Sequence, residues 1–283
     1  MTPATGAGPG AATTSTPRPV TPLAILVDTL DRLVERLDGG AVADPDLGSE
    51  IRHAAALAGG LDPYTAALST PESPALRALS ERTAAEDWTG SAAGLEQEML
   101  SGHLEGQLLR TLVHATRARQ VLEIGMFTGY SALAMAEAVQ ELHGEEGSVV
   151  ACEIDPQVAE LAQECFDASP AGDRIDVHVG PALDTLHALA DAGAHFDLVF
   201  LDADKAGYAD YLHALLDTGL LSRRGLLVVD NTLMQGEPWL DGPSSTNGEA
   251  IARFNQVLAG EPRVEQVVLP VRDGVTLVRR VAG

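Results

Sequence analysis

The chain has 283 residues and a formal charge of −23, from 18 basic and 41 acidic side chains. That length suits one well-buried α/β domain with an extension and is too short for two full-sized enzyme domains. The charge opposes phosphate backbones and anionic membranes, and no basic patch stands out to offset it, so neither nucleic acid nor a membrane is an expected partner.

Residues 1 to 20 are almost all Ala, Thr, Pro, Gly and Ser, too poor in large apolar groups to offset the entropy of ordering, and read as a disordered tail. They also lack the charged start and apolar run of a secretory leader. No later run approaches the roughly 18 to 20 apolar residues that span a bilayer. A cytoplasmic protein is expected. Thr21-Pro22 then supplies an N-cap and a proline at the first helical position, ahead of Leu23, Leu26, Leu30, Leu33, Val34 and Leu37 at helical spacing. Gly39-Gly40 should stop that helix. Shorter helices are expected over 48–58, 73–86 and 92–100, with Gly59-Gly60, Pro63 and Pro71 as breaks. Together 21–102 read as a helical N-terminal extension, which would form a dimer contact or cover a pocket; a homodimer is the expected assembly.

From residue 103 to 283 short apolar strands alternate with helices, the pattern of a mostly parallel, Rossmann-like sheet. Strands are expected at 120–124, 148–152, 175–179, 197–201 and 225–229. Two further runs, 264–270 and 275–281, flank Arg272-Asp273-Gly274, whose Asp-Gly pair favours a tight hairpin, so an antiparallel hairpin should close a seven-stranded sheet. Cys152 and Cys165 sit in no metal-ligand spacing and read as free, buried thiols.

The segment VLEIGMFTGYSALAMAEAV (121–139) reads as a buried strand, a turn with Gly125 and Gly129, and a helix starting near Ser131. Open α/β sheets place their ligands at such strand tips. Its G-x-x-x-G spacing is neither the pyrophosphate fingerprint nor a phosphate loop. Glu123 at the strand's end suits a cationic ligand, and S-adenosylmethionine carries a sulfonium and an ammonium. Glu153 ends the next strand and can accept both ribose hydroxyl protons. Taken singly, each acid is as readily a capping or solvated carboxylate; together, at successive strand ends, they favour a cofactor site.

The fourth and fifth strands run into LDADKAGY and VVDNTL. Asp202, Asp230 and Asn231 at neighbouring tips offer three oxygen donors, the set preferred by Mg²⁺, with open positions for a chelating vicinal diol. Lys205, three residues past Asp202, is the candidate general base; its bland alternative is an exposed pair with Asp204. Met99 and Ser101 could close over the cofactor, Met99 being as readily a core residue. His103 reads as an ordinary loop histidine, and Met234 and Trp239 as pocket walls or plain packing.

These motifs, EGQ (105–107), EIGMFTGYS (123–131), CEIDP (152–156), GPAL (180–183), DADKAGY (202–208), DNTL (230–233) and PRVEQVVLPVRDGVTLVRR (262–280), resemble the cation-dependent class I O-methyltransferases, which include catechol and caffeoyl-CoA O-methyltransferases. The resemblance covers roughly 95–281 and implies S-adenosylmethionine as methyl donor and a divalent cation, Mg²⁺ first. It assigns Asp202, Asp230 and Asn231 to the metal, Lys205 to proton abstraction, and Met99, Ser101, Glu123, Ser131 and Glu153 to the cofactor, with Gly125 beside it. Ala182, Leu183 and Asp204 fall where the family lines adenosine or metal.

LAGGLDPY (57–64), STPESPALRAL (69–79), AEDW (85–88) and EMLSGHLEGQ (98–107) are further similar to the O-methyltransferases of mycosporine biosynthesis. That likeness implies the enediol demethyl-4-deoxygadusol as acceptor and 4-deoxygadusol as product. A catechol or a polyketide diol is the rival acceptor. A nicotinamide dehydrogenase would share the strand, turn and helix but leaves the Asp-Asn pair unexplained, and a non-catalytic binding protein would not need Lys205 and the three oxygen donors intact. In place of the plant enzymes' DEGQ and of their Trp after DNTL stand Leu104-Glu105-Gly106-Gln107 and Met234, which counts against a CoA thioester.

Overall fold

The structure is a computed structural model and describes residues 18–40, 45–88, 94–240 and 242–281. The expected tail therefore falls mostly outside the described residues. Its last part is held in place: the Arg18 side chain pairs with Glu96 at 2.7 Å.

Helix α1 (Pro22–Asp38) starts as its sequence dictates, with the Thr21 hydroxyl accepting from the Ala24 amide. Helix α2 (Pro45–Leu68) departs from expectation. The chain runs helically through Gly59-Gly60 and Pro63, where breaks were expected. Glycine costs an exposed helix only about 1 kcal/mol and proline about 3, and packing against a neighbouring helix can outweigh both. Here α1 is that neighbour, and a Cβ on Gly59 would already touch Val27. Helix α3 (Pro74–Ala84), capped by Ser73, packs on the later helices. Ser73 donates to Glu137 at 2.5 Å, and the buried hydroxyls of Thr83 and Thr128 meet at 2.9 Å. In place of the helix expected at 92–100, the described residues hold one 3-10 turn, Gln97–Met99, followed by α4 (Gly102–Thr116).

The strands are β1 (Gln120–Ile124), β2 (Ser148–Glu153), β3 (Ile175–Val179), β4 (Phe196–Leu201), β5 (Leu221–Val229), β6 (Val264–Leu269) and β7 (Val275–Arg280). Between them lie α5 (Tyr130–His143), α6 (Pro156–Asp167), α7 (Ala182–Asp191), α8 (Tyr208–Asp217) and α9 (Thr246–Gly260). They form one sheet in the order β3-β2-β1-β4-β5-β7-β6, parallel as far as β5, with β7 antiparallel to both β5 and β6. Both faces are covered, so the central strands are apolar at successive residues. Val121, Leu198, Phe200 and Val228 join the core beneath α4 and α5. Leu122, Ile124, Val199, Leu201, Leu227 and Val229 join the core beneath α8 and α9.

Two details differ from the sequence expectation. Strand β5 begins four residues earlier than 225. The hairpin between β6 and β7 is not a two-residue turn: pairing ends at Leu269 and Val275, and the loop closes with the Gly274 amide donating to Val271 O at 2.8 Å. The Asp-Gly pair is bound elsewhere. Asp273 and Gly274 carbonyls accept from the Leu233 and Thr232 amides, and a Cβ on Gly274 would lie 2.3 Å from the Leu233 side chain. This loop is thereby docked onto the segment that follows β5.

Candidate active site

The strand order reverses between β1 and β4, which leaves a crevice at their carboxyl ends. The ladder continues past the strands there: the Asp202 amide donates to Ile124 O at 2.9 Å and the Asp230 amide to Leu201 O at 3.0 Å. Asp202, Asp230 and Gly125 are thus fixed side by side by backbone bonding. Gly125 has φ +90°, and a Cβ there would sit 2.1 Å from Asp202 O, so only glycine fits. Met99, Leu100, Ser101, Gly125, Met126, Phe127, Tyr130, Ser131 and Asp202 line one small cleft.

The sequence-assigned cofactor residues fall into two groups. Met99, Ser101, Gly125 and Ser131 meet at this cleft, with Glu123 fully buried beneath it. Both Glu123 oxygens lack a hydrogen-bond partner, and burial first, then Asp202 and Glu153, push its carboxyl well above the usual range. Glu153, 8% exposed, accepts from the Phe127 amide at 2.7 Å and the Asp155 amide at 2.9 Å. These bonds aim it at the turn after β1. Ala182 opens α7 beside the second core. Asp204 is engaged already, accepting from the Gly207 amide at 2.9 Å and from Tyr211 Oη at 2.6 Å.

On the other side of the crevice, Lys205 Nζ donates to Asp202 Oδ1 and to Tyr208 Oη, each at 2.8 Å. The solvated Lys205–Asp204 pair weighed for this loop is not what forms. Burial alone would lower the Lys205 pKa, but Asp202 and the two hydrogen bonds hold it above its ordinary value. Asp230 is buried, its Oδ1 has no partner, and burial and then Asp202 push its carboxyl up to about 6. Asn231 follows with φ 59°, a left-handed turn that asparagine tolerates better than most residues. Thr232 is gripped by Gly274 O, Thr276 and Asn255, which steadies the loop carrying Asp230 and Asn231.

Sequence reasoning missed Glu105. It lies in the first turn of α4, 1% exposed, with both oxygens lacking a hydrogen bond and Arg272 Nε 3.5 Å away. The EGQ motif was visible, but nothing local says that its carboxylate is buried against β5 and the hairpin loop. His103, expected in a loop, lies instead in the first turn of α4, where its ring bonds to Thr70 O. Trp239 and Met234 sit after β5, Trp239 half exposed. The sequence also hid a basic cleft. Arg223, Arg224, Arg263, Arg279 and Arg280 line a surface cleft of about 990 Å³ at the opposite end of β5 and β7. It takes no part in the site above.

A sheet parallel as far as β5, with a glycine turn after β1 and an acid at the tip of β2, is the open α/β frame that takes nucleoside-containing ligands at its strand ends. The sequence profile of the O-methyltransferase family matches residues 66–281, and the chain belongs to that family. It is an S-adenosylmethionine-dependent O-methyltransferase.

Among its relatives, the caffeoyl-CoA O-methyltransferase of Petroselinum crispum is 36% identical over 221 residues, spanning 75% of this chain and 86% of that one. The O-methyltransferase ankF of Aspergillus thermomutatus is 34% identical over 64% of this chain and 79% of its own. A Podospora anserina methyltransferase solved with S-adenosylhomocysteine superposes with a TM-score of 0.69 at 30% identity, covering 80% of this chain and 96% of that one.

Proposed function

We propose that the enzyme methylates one oxygen of a vicinal enediol held against a divalent cation, with Lys205 removing the hydroxyl proton. The observation that carries this is the pair Asp202 and Asp230: two carboxylates side by side at adjacent strand ends, one with a buried oxygen that has no partner. Unpaired buried carboxylates cost several kcal/mol apiece unless a cation meets them. The donor set Asp202, Asp230 and Asn231 is all oxygen and fits Mg²⁺ or Mn²⁺. When bound, the cation supplies Lewis acidity that stabilises the acceptor's oxyanion.

The chain's own residues do the rest. Glu153 accepts from the ribose hydroxyls of S-adenosylmethionine, while Met99, Ser101, Glu123, Gly125, Ser131, Ala182 and Asp204 surround the remainder of the cofactor. Lys205 loses its proton to solvent once Asp202 no longer holds it as an ion pair, and then takes the proton of the attacking hydroxyl. The acceptor oxygen bonds to the methyl carbon as the carbon–sulfur bond breaks, and S-adenosylhomocysteine leaves.

The acceptor we favour is demethyl-4-deoxygadusol, on the strength of the N-terminal motifs in α2, α3 and the segment 98–107. A catechol is the second reading, supported by relatives whose names denote caffeoyl-CoA and tricin. A cytoplasmic homodimer is the proposed setting. Product analysis with S-adenosylmethionine and each acceptor in turn, with and without a chelator, tests the proposal. Methylation of neither acceptor, or equal turnover in chelator, overturns it.

A further inference from the structure

Arg272 occupies the loop between β6 and β7, far in sequence from the cofactor-lining segment, yet its guanidinium reaches that segment's backbone. One Nη donates to Ser101 O and the other to Leu100 O at 3.1 Å, while Nε lies 3.5 Å from Glu105. The backbone there has φ 50°, a conformation that side-chain-bearing residues rarely adopt. Gly102, with φ +74°, leaves the space the guanidinium fills: a Cβ on it would lie 2.9 Å from Arg272 Nη1. Ser101 is buried, and Glu105 faces no other described basic group within ion-pair distance.

We propose that Arg272 is a positioning residue that holds Met99–Ser101 over the cofactor side of the cleft, so that cofactor affinity is set in part by the C-terminal hairpin loop. The planar fork suits this task. It satisfies two successive carbonyls and a buried carboxylate at once, whereas a lysine ammonium is a single point with no such geometry. The same loop grips the segment after β5 through Asp273, which accepts from the Gln235 amide, and through Gly274 and Thr232. The strap over the cofactor and the loop bearing Asp230 are therefore anchored to one hairpin tip. This rests on the assignment of Met99 and Ser101 to the cofactor under the proposed function.

The test is calorimetric titration of S-adenosylhomocysteine into wild type, Arg272→Lys and Arg272→Met, with steady-state kinetics and limited chymotrypsin cleavage alongside. Wild-type binding reports on the cofactor assignment by itself. Both variants should bind about tenfold or more weakly, the loss expected for charge-assisted bonds to backbone. KM for S-adenosylmethionine should rise while kcat at saturation changes less than about threefold. Cleavage after Met99 or Leu100 should speed up in the variants and slow again with S-adenosylhomocysteine. Wild-type affinity and wild-type cleavage in Arg272→Lys, the gentler change, would overturn the proposal, as would a fall in kcat with KM unchanged.

Discussion

Lys205 Nζ lies 2.8 Å from Asp202 Oδ1, so the candidate base and a candidate metal ligand form one partly buried ion pair from a single loop. The two roles are coupled: whatever draws charge from Asp202 frees Lys205. Lys205→Met keeps the stem and removes the amine, and kcat should fall by roughly 10² to 10⁴ with cofactor affinity nearly intact. Raising the pH should recover part of the rate, because the acceptor then ionises without a base. Turnover equal to the parent's at neutral pH would leave Lys205 a structural cation.

Chelation should abolish turnover, and Mg²⁺ or Mn²⁺ should restore it. Asp230→Asn removes the charge of the buried carboxylate whose Oδ1 has no partner. It should weaken Mn²⁺ binding, followed by electron paramagnetic resonance, by about tenfold or more. The apo variant should melt no lower than the parent, since an unpaired buried charge has been removed. Undiminished Mn²⁺ binding would place the cation elsewhere.

Glu153→Ala removes the carboxylate that two backbone amides orient. Binding of S-adenosylmethionine should weaken much more than binding of the acceptor, at roughly 1.5 to 3 kcal/mol per charge-assisted bond lost. Calorimetry with unchanged cofactor affinity would remove Glu153 from the ribose.

Gly125→Ala forces a Cβ to within 2.1 Å of a backbone oxygen at a left-handed residue. A loss of about 2 kcal/mol is expected, seen as a fall in melting temperature of roughly 4 to 8 °C. An unaltered melting curve would mean that the tips of β1 and β4 are not held this close.

Cys152 is buried, and burial, helped by Glu123, pushes its thiol up to about 12. A neutral, inaccessible thiol is a poor nucleophile. Ellman's reagent should therefore titrate the half-buried Cys165 first and Cys152 only on unfolding. Two fast thiols in the native protein would contradict the packing of β2.

The sheet was legible because its signals are local. Each strand is a short apolar run between turn residues, and each acid lies at the end of its run or directly after it, so Glu123, Glu153, Asp202, Asp230 and Asn231 could be named in advance. The breaks assigned to Gly59-Gly60 and Pro63 were not safe, since propensity at those positions is outweighed by the packing of α2 on α1. The Asp-Gly pair misled in a related way: its preference for a tight turn yields to backbone bonds with Thr232 and Leu233.

The sequence by itself determined the order of strands and helices, the chemistry of the strand tips and the acidity of the whole, because these depend on residue type and short-range spacing. Only the tertiary structure decided that Lys205 is paired with Asp202, that Glu105 is a buried acid, that Arg272 reaches Leu100 and Ser101, and that five arginines gather at the far end of the sheet. Each of those depends on which distant segments the strand order brings within a few ångströms, and on water being excluded when they meet. Neither is written in any local stretch of the chain.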